Sequence, residues 1–185
     1  MLEPAASLPP PAGVDICHAV LAYEGYSREL VARLKYRNAR TTLRWLALQM
    51  ALLVDPDAVE LVTWVPTSTA RRHQRGFDQA QLLAKGLSRR LCRPCRPLLV
   101  RAHGPPQTGR TGTQRLAGPA LSVRLNAHRH VPRHVVLVDD VITTGTSMTV
   151  AARALRAAGV ERIVAVAAAR TPLKRIRASP EPQLR

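Results

Sequence analysis

The stretch Val135-Val136-Leu137-Val138-Asp139-Asp140-Val141-Ile142-Thr143-Thr144-Gly145-Thr146-Ser147 decides how this chain folds. Four consecutive apolar residues, three of them β-branched, predict a strand buried on both faces, as in a parallel sheet. The adjacent carboxylates of Asp139 and Asp140 are expected to end that strand at its carboxyl edge, where open α/β sheets place their ligands. Residues 143–147 then turn the chain into a helix expected over residues 148–158. Gly145 permits a tight turn with close backbone approach. The hydroxyls of Thr143, Thr144, Thr146 and Ser147, with the unpaired N–H groups of a helix start, can hold a phosphate dianion. Acids for a ribose diol beside a cradle for its phosphate suit a phosphorylated sugar. No lysine follows the glycine, so this is not a Walker A loop. Single acids and hydroxyls often do no more than cap turns and helices. Here strand, acid pair, cradle and helix come in the order a phosphate site requires.

Upstream, residues 14–23 contain a plausible strand in His18-Ala19-Val20-Leu21-Ala22-Tyr23, and Ser27 can cap a helix through about residue 35. A second helix fits residues 41–53 and closes before Asp55-Pro56. Leu61-Val62-Thr63-Trp64-Val65 is the next strand, ended by Pro66. It leads into a basic loop, Thr67-Ser68-Thr69-Ala70-Arg71-Arg72-His73-Gln74-Arg75-Gly76, and then a helix to about residue 91. Arginine forks suit phosphate oxygens, although a solvated charge run is the bland alternative. A short strand is expected at residues 97–100. The Gly-, Pro- and Thr-rich stretch over residues 101–118 predicts a mobile loop; one carrying Arg110 and Arg115 can act as a lid that excludes water. Gly159 caps the helix after the phosphate turn, and a last strand fits residues 161–168. With helices between these strands, the pattern specifies an α/β domain with a mainly parallel sheet. Residues 1–13 are expected to be a flexible leader, 14–172 a single domain (a small hood at 14–55, a core at 58–172), and 173–185 a basic tail.

At 185 residues the chain is long enough for one domain with a substantial core. No run of about 20 apolar residues exists to span a bilayer. The start has no basic n-region, so a cytoplasmic protein is expected. The chain carries 28 Lys+Arg against 12 Asp+Glu, a formal net charge of +16. That excess favours polyanions, nucleic acid or phosphorylated small molecules. Yet Lys35, Lys85 and Lys174 are its lysines, and an arginine bias of this kind also follows from base composition. Aromatics make up 3% of the chain, poor support for a base-stacking platform. Cys92-Arg93-Pro94-Cys95 has the spacing of half a zinc site, but a structural or surface thiol pair is the simpler reading.

The strand, acid pair and Thr/Gly/Ser turn resemble the PRPP motif of the type I phosphoribosyltransferases. Arg75-Gly76-Phe77-Asp78-Gln79 after a strand, Gln107-Thr108 with Arg115, and Lys35 in its Leu-Lys-Tyr setting sharpen this into a resemblance to the ComF (ComFC) family. These are phosphoribosyltransferase-like proteins linked to competence and DNA uptake, and the similarity extends over about residues 23–169. It implies a type I phosphoribosyltransferase-like fold and PRPP as ligand, with Mg²⁺ bridging its oxygens and Asp139 and Asp140. Residues Asp139, Asp140, Thr143, Thr144, Gly145, Thr146 and Ser147 would hold ribose and phosphate. The loop with Thr67, Ser68, Arg71, Arg72 and Arg75 would take the pyrophosphate, using the backbone N–H groups of Thr67 and Ser68. Arg110 and Arg115 would close over it as catalytic residues beside the two acids. Transfer would pass to an unidentified nitrogenous acceptor by positioning and charge stabilisation. The other outcome is a non-catalytic protein on the same scaffold that engages single-stranded DNA or competence-machinery partners. The resemblance does not take in the cysteine-rich zinc ribbon with which that family commonly opens, so zinc binding is not expected of these residues. Asp78 stands where the family commonly has Asn, which puts a carboxylate beside the anion loop.

Overall fold

The structure, a computed structural model, describes residues 9–33, 40–67, 77–101, 121–123 and 130–172. Its centre is a four-stranded parallel sheet in the order β1 (Ile16–Ala22), β6 (Arg162–Arg170), β5 (His134–Ile142), β2 (Leu61–Trp64). The side chains of β5 alternate between two cores. Val136 and Val138 face one packed by α2 (Arg40–Ala51) and α3 (Gln79–Leu91); Val135 and Leu137 face another packed by α4 (Thr146–Ala157). Both faces being covered is why this strand reads as an unbroken apolar run. On the first face Leu46 and Met50 of α2 interlock with Leu83 and Leu87 of α3, all essentially without exposure. The helices approach so closely that a Cβ on Gly86 would lie 2.8 Å from that of Ala47. The expected α/β architecture, a parallel sheet flanked by helices, is what forms.

Several local expectations need correction. β5 does not stop at its acids: it continues to Ile142, with Asp139 opposite Ala167 and Ile142 opposite Arg170. Cross-strand pairing with β6 carries it past two residues of poor strand propensity. The following helix begins at Thr146, two residues early, with Gly145 at its N-cap and φ of +76°. The strand expected at residues 97–100 forms as β3 (Leu99–Arg101) but stays out of the main sheet. It pairs antiparallel with β4 (Leu121–Val123), a strand that three residues could not announce, and their ribbon packs on the α4 side. In the segment expected as a hood, β1 is an edge strand of the sheet, α2 packs in the core, and Tyr23 and Val31 of α1 (Gly25–Arg33) line the cleft. Of the leader, Pro9 accepts a bond from Arg170 (2.7 Å) and Gly13 one from Arg156 (3.3 Å), so residues 9–13 are docked. Cys92 caps α3 in a left-handed conformation, and Cys95 bridges to Val62. Among the described residues no helix is long and apolar enough to cross a membrane.

Candidate functional site

Neighbouring strands β2 and β5 send their chains to opposite faces of the sheet, β2 into α3 on one side and β5 into α4 on the other. That divergence opens a crevice at the carboxyl edge, the switch point at which parallel sheets bind ligands. The crevice is a cavity of about 380 Å³ reached by Tyr23, Pro66, Thr67, Asp78, Arg101, Asp139, Asp140, Thr143 and Ser147. A smaller cavity of about 40 Å³ adjoins it, wrapped by the turn over residues 143–147 and by Asp139. Asp139, Thr143 and Ser147 line both, so the turn at the start of α4 opens directly onto the acids.

The local backbone explains the acid pair. Val65 N–H donates to Val138 O (2.9 Å), and then Pro66 leads the chain away. Past that point β5 has no β2 neighbour. Asp139 Oδ1 accepts from the Asp140 N–H and Asp140 Oδ1 from the Val141 N–H, both at 2.8 Å. Each carboxylate thus spends one oxygen on the backbone. Burial pushes the Asp139 carboxyl well above the usual carboxylate range; the adjacent Asp140 adds to this, and Asp78 does so more weakly. A cation or hydroxyl donors arriving here relieve that repulsion.

In the turn, the Thr144 and Thr146 hydroxyls lie 2.9 Å apart, the Thr146 N–H donates to Thr144 Oγ1 at 3.4 Å, and Gly145 at the N-cap has no side chain to occupy the other first N–H groups of α4. Those groups and the helix dipole favour an anion. A Cβ on Gly145 would come within 3.2 Å of Pro11, so the docked leader backs the turn.

Asp78 does more than stand near a loop. It is buried, caps α3 by accepting from Gln81 N–H (3.2 Å), and accepts from Thr67 N–H (2.9 Å). The Thr67 N–H, expected to receive pyrophosphate, is bonded to this carboxylate, and Thr67 lines the crevice. Ser68, Arg71, Arg72, Arg75, Arg110 and Arg115 lie outside the described residues, as do Lys35, Gln107 and Thr108. Sequence reasoning missed Tyr23, Gln79 and Arg101 as lining residues. Tyr23 directly follows the carboxyl end of β1, a position the strand-edge rule could have flagged. Asp78 with Gln81 three residues on has the spacing of a capping box. Arg101, whose Nε donates to Pro66 O (2.9 Å), gave no signal, since it arrives from the separate ribbon.

Asp139 and Asp140 offer the hard oxygen donors that Mg²⁺ takes. Among the described residues no group of three or more His, Cys, Asp or Glu side chains converges to hold a metal alone. The donors present fit a magnesium ion that completes its shell with ligand oxygens and water, its usual habit with phosphates.

A profile of the phosphoribosyl transferase domain matches residues 78–181, more than half of the chain. Competence protein ComFC of Bacillus subtilis is 29% identical over 140 residues, covering 74% of this chain and 56% of that protein. Competence protein F of Haemophilus influenzae is 34% identical over 146 residues, covering 72% and 63%. The chain thus spans less than two thirds of the length of either relative. Among solved structures, glutamine PRPP amidotransferase from B. subtilis, complexed with ADP and GMP, aligns with a TM-score of 0.49 at 20% identity, over 75% of this chain and 30% of that one. The matched region begins at Asp78 and contains the whole strand, acid pair and phosphate turn, and with it the chain belongs to the phosphoribosyl transferase domain family, as a ComF-family protein.

Proposed function

We propose that the crevice binds PRPP together with Mg²⁺ and that the protein transfers its phosphoribosyl group to a nitrogenous acceptor, in work linked to competence and DNA uptake. The observation that carries this reading is the 40 Å³ cradle at the start of α4, which opens beside two adjacent carboxylates onto a crevice large enough for a sugar and its pyrophosphate. In this reading the turn over residues 143–147 holds the 5′-phosphate, with Thr144 and Thr146 as hydroxyl donors. Asp139 and Asp140 orient the ribose hydroxyls with their second oxygens. Arg71, Arg72 and Arg75 meet the pyrophosphate, and Arg110 and Arg115 close over it. Mg²⁺, when bound, neutralises pyrophosphate charge. The protein's remaining contribution is to hold the anomeric carbon clear for the acceptor and to keep bulk water away. The test is calorimetric titration with PRPP, with and without Mg²⁺. Metal-dependent binding is expected in the native protein, with a loss of at least about 100-fold in Asp139→Asn/Asp140→Asn, as when two charge-assisted contacts go. Unchanged affinity in that variant removes the assignment.

The net charge of +16 favours a second reading, single-stranded DNA binding on the same scaffold. Phosphate contacts release counterions, so affinity should fall linearly on a log–log plot against salt, with a slope near −0.7 per contact. Binding that ignores salt between about 50 and 200 mM counts against this reading.

A further inference from the structure

Three carboxylates, Asp78, Asp139 and Asp140, line the crevice against one described guanidinium, that of Arg101, whose Nε is already bonded to Pro66 O. Asp78 is the one the phosphate reading does not use. It comes from the start of α3, is 6% exposed, and lines the same crevice as the acid pair. Both its oxygens are committed: Oδ2 to the Thr67 N–H at the end of β2, Oδ1 to the Gln81 N–H in the first turn of α3. These two donors, at a strand's carboxyl edge and a helix N-terminus, are the kind an entering phosphate oxygen seeks. A carboxylate of this chain stands in that place.

We infer that Asp78 is a specificity-determining residue that restricts the crevice to polyanions already carrying a divalent cation. The inference rests on the proposed PRPP reading. A metal-free pyrophosphate group meets the carboxylates of Asp78 and Asp140 and finds the Thr67 donor taken. The magnesium complex presents a smaller net negative charge and brings a cation to the acids, so Asp78 opposes it far less. Without Asp78 the same crevice would accept free phosphates, which compete with a metal-bearing substrate.

The test uses inorganic pyrophosphate and PRPP as probes, each titrated calorimetrically with and without Mg²⁺ into the native protein, Asp78→Asn and Asp78→Ser. Serine keeps a helix cap without the charge, so a folded variant is retained if the asparagine amide clashes with Thr67 N–H. We expect metal-free pyrophosphate to bind about tenfold more tightly in both variants, while the affinity for Mg²⁺-PRPP changes less than about threefold, a loss of selectivity worth roughly 1 kcal/mol. A change by the same factor with and without metal means that Asp78 is only a cap and clamp, and it overturns the inference. So does unchanged or weaker metal-free binding. If the native protein binds neither probe in the presence of Mg²⁺, the PRPP reading itself fails and the inference falls with it, an outcome told apart by the native titration alone.

Discussion

Asp139 is held where the fold works against its own electrostatics. Its folded pKa is raised, first by burial and then by the Asp140 charge. The folded protein therefore keeps a proton that the unfolded chain releases near its ordinary value of about 3.9. The contribution of this group to stability is fully present below that value and is lost as pH rises through the folded pKa. An asparagine retains an oxygen for the Asp140 N–H and titrates nowhere. Asp139→Asn should thus be the more stable protein at neutral pH without ligand, by about 1 kcal/mol, a usual scale for one buried position. Thermal unfolding followed from pH 4 to pH 8 should show the gap opening as pH rises; a gap independent of pH, or a less stable variant, contradicts the electrostatic account. Strain of this kind at the expense of the fold is what functional sites commonly carry.

At the scale of elements, the turn over residues 143–147 depends on a single backbone conformation. Gly145 sits at φ +76°, and a Cβ there would lie 3.2 Å from Pro11 Cγ, closer than ordinary contact. An L-residue in the left-handed region costs roughly 1–2 kcal/mol. Gly145→Ala should lose about that much in denaturant unfolding and should also shift the start of α4 against the leader. A variant as stable as the native protein would mean that the turn relaxes freely and is not pre-shaped. The far end of the same helix is closed by Gly159, with φ of +100° and its N–H on Arg156 O (2.9 Å), as its sequence position leads one to expect.

Over the whole molecule, Arg156 ties together segments far apart in sequence. Its guanidinium meets Asp15 Oδ2 (2.6 Å), Gly13 O (3.3 Å), Val160 O (3.5 Å) and Glu161 O, while Asp15 also accepts the Ile163 N–H (2.7 Å). Burial alone would raise the Asp15 pKa, but the Ile163 N–H and Arg156 outweigh it and hold the carboxyl below its ordinary value. The stability this group adds is present above the unfolded pKa and is lost as pH falls through the folded one. Arg156→Ala should cost about 1–2 kcal/mol near neutrality, within the range for hydrogen bonds to charged groups that are partly solvated. The deficit should begin to shrink below about pH 4, where the unfolded chain starts to take up a proton at Asp15, and fade as pH falls through the lower folded value. Urea unfolding at pH 7 and pH 3.5 checks both statements, and an undiminished deficit at the lower pH would leave Asp15 without a part in it.

The run Val135-Val136-Leu137-Val138, both acids, and the Thr/Gly/Ser turn were legible without coordinates, because burial on both faces and left-handed turns leave local marks in composition. The α/β class followed from the same marks repeated along the chain. The length of β5 beyond its acids did not, since that depends on pairing with β6, whose Ala167 and Ala169 are a chain segment away. Nor did the places of β1, the β3–β4 ribbon, Tyr23 or Arg101. The part played by Asp78 shows the limit most clearly: its cap on Gln81 is local and readable, but its bond to Thr67 joins residues that only the packing of α3 against β2 brings together. Local backbone chemistry was written in neighbouring residues; the crevice was not, because it exists where two adjacent strands send their chains to opposite faces, and strand order is a property of the assembled sheet.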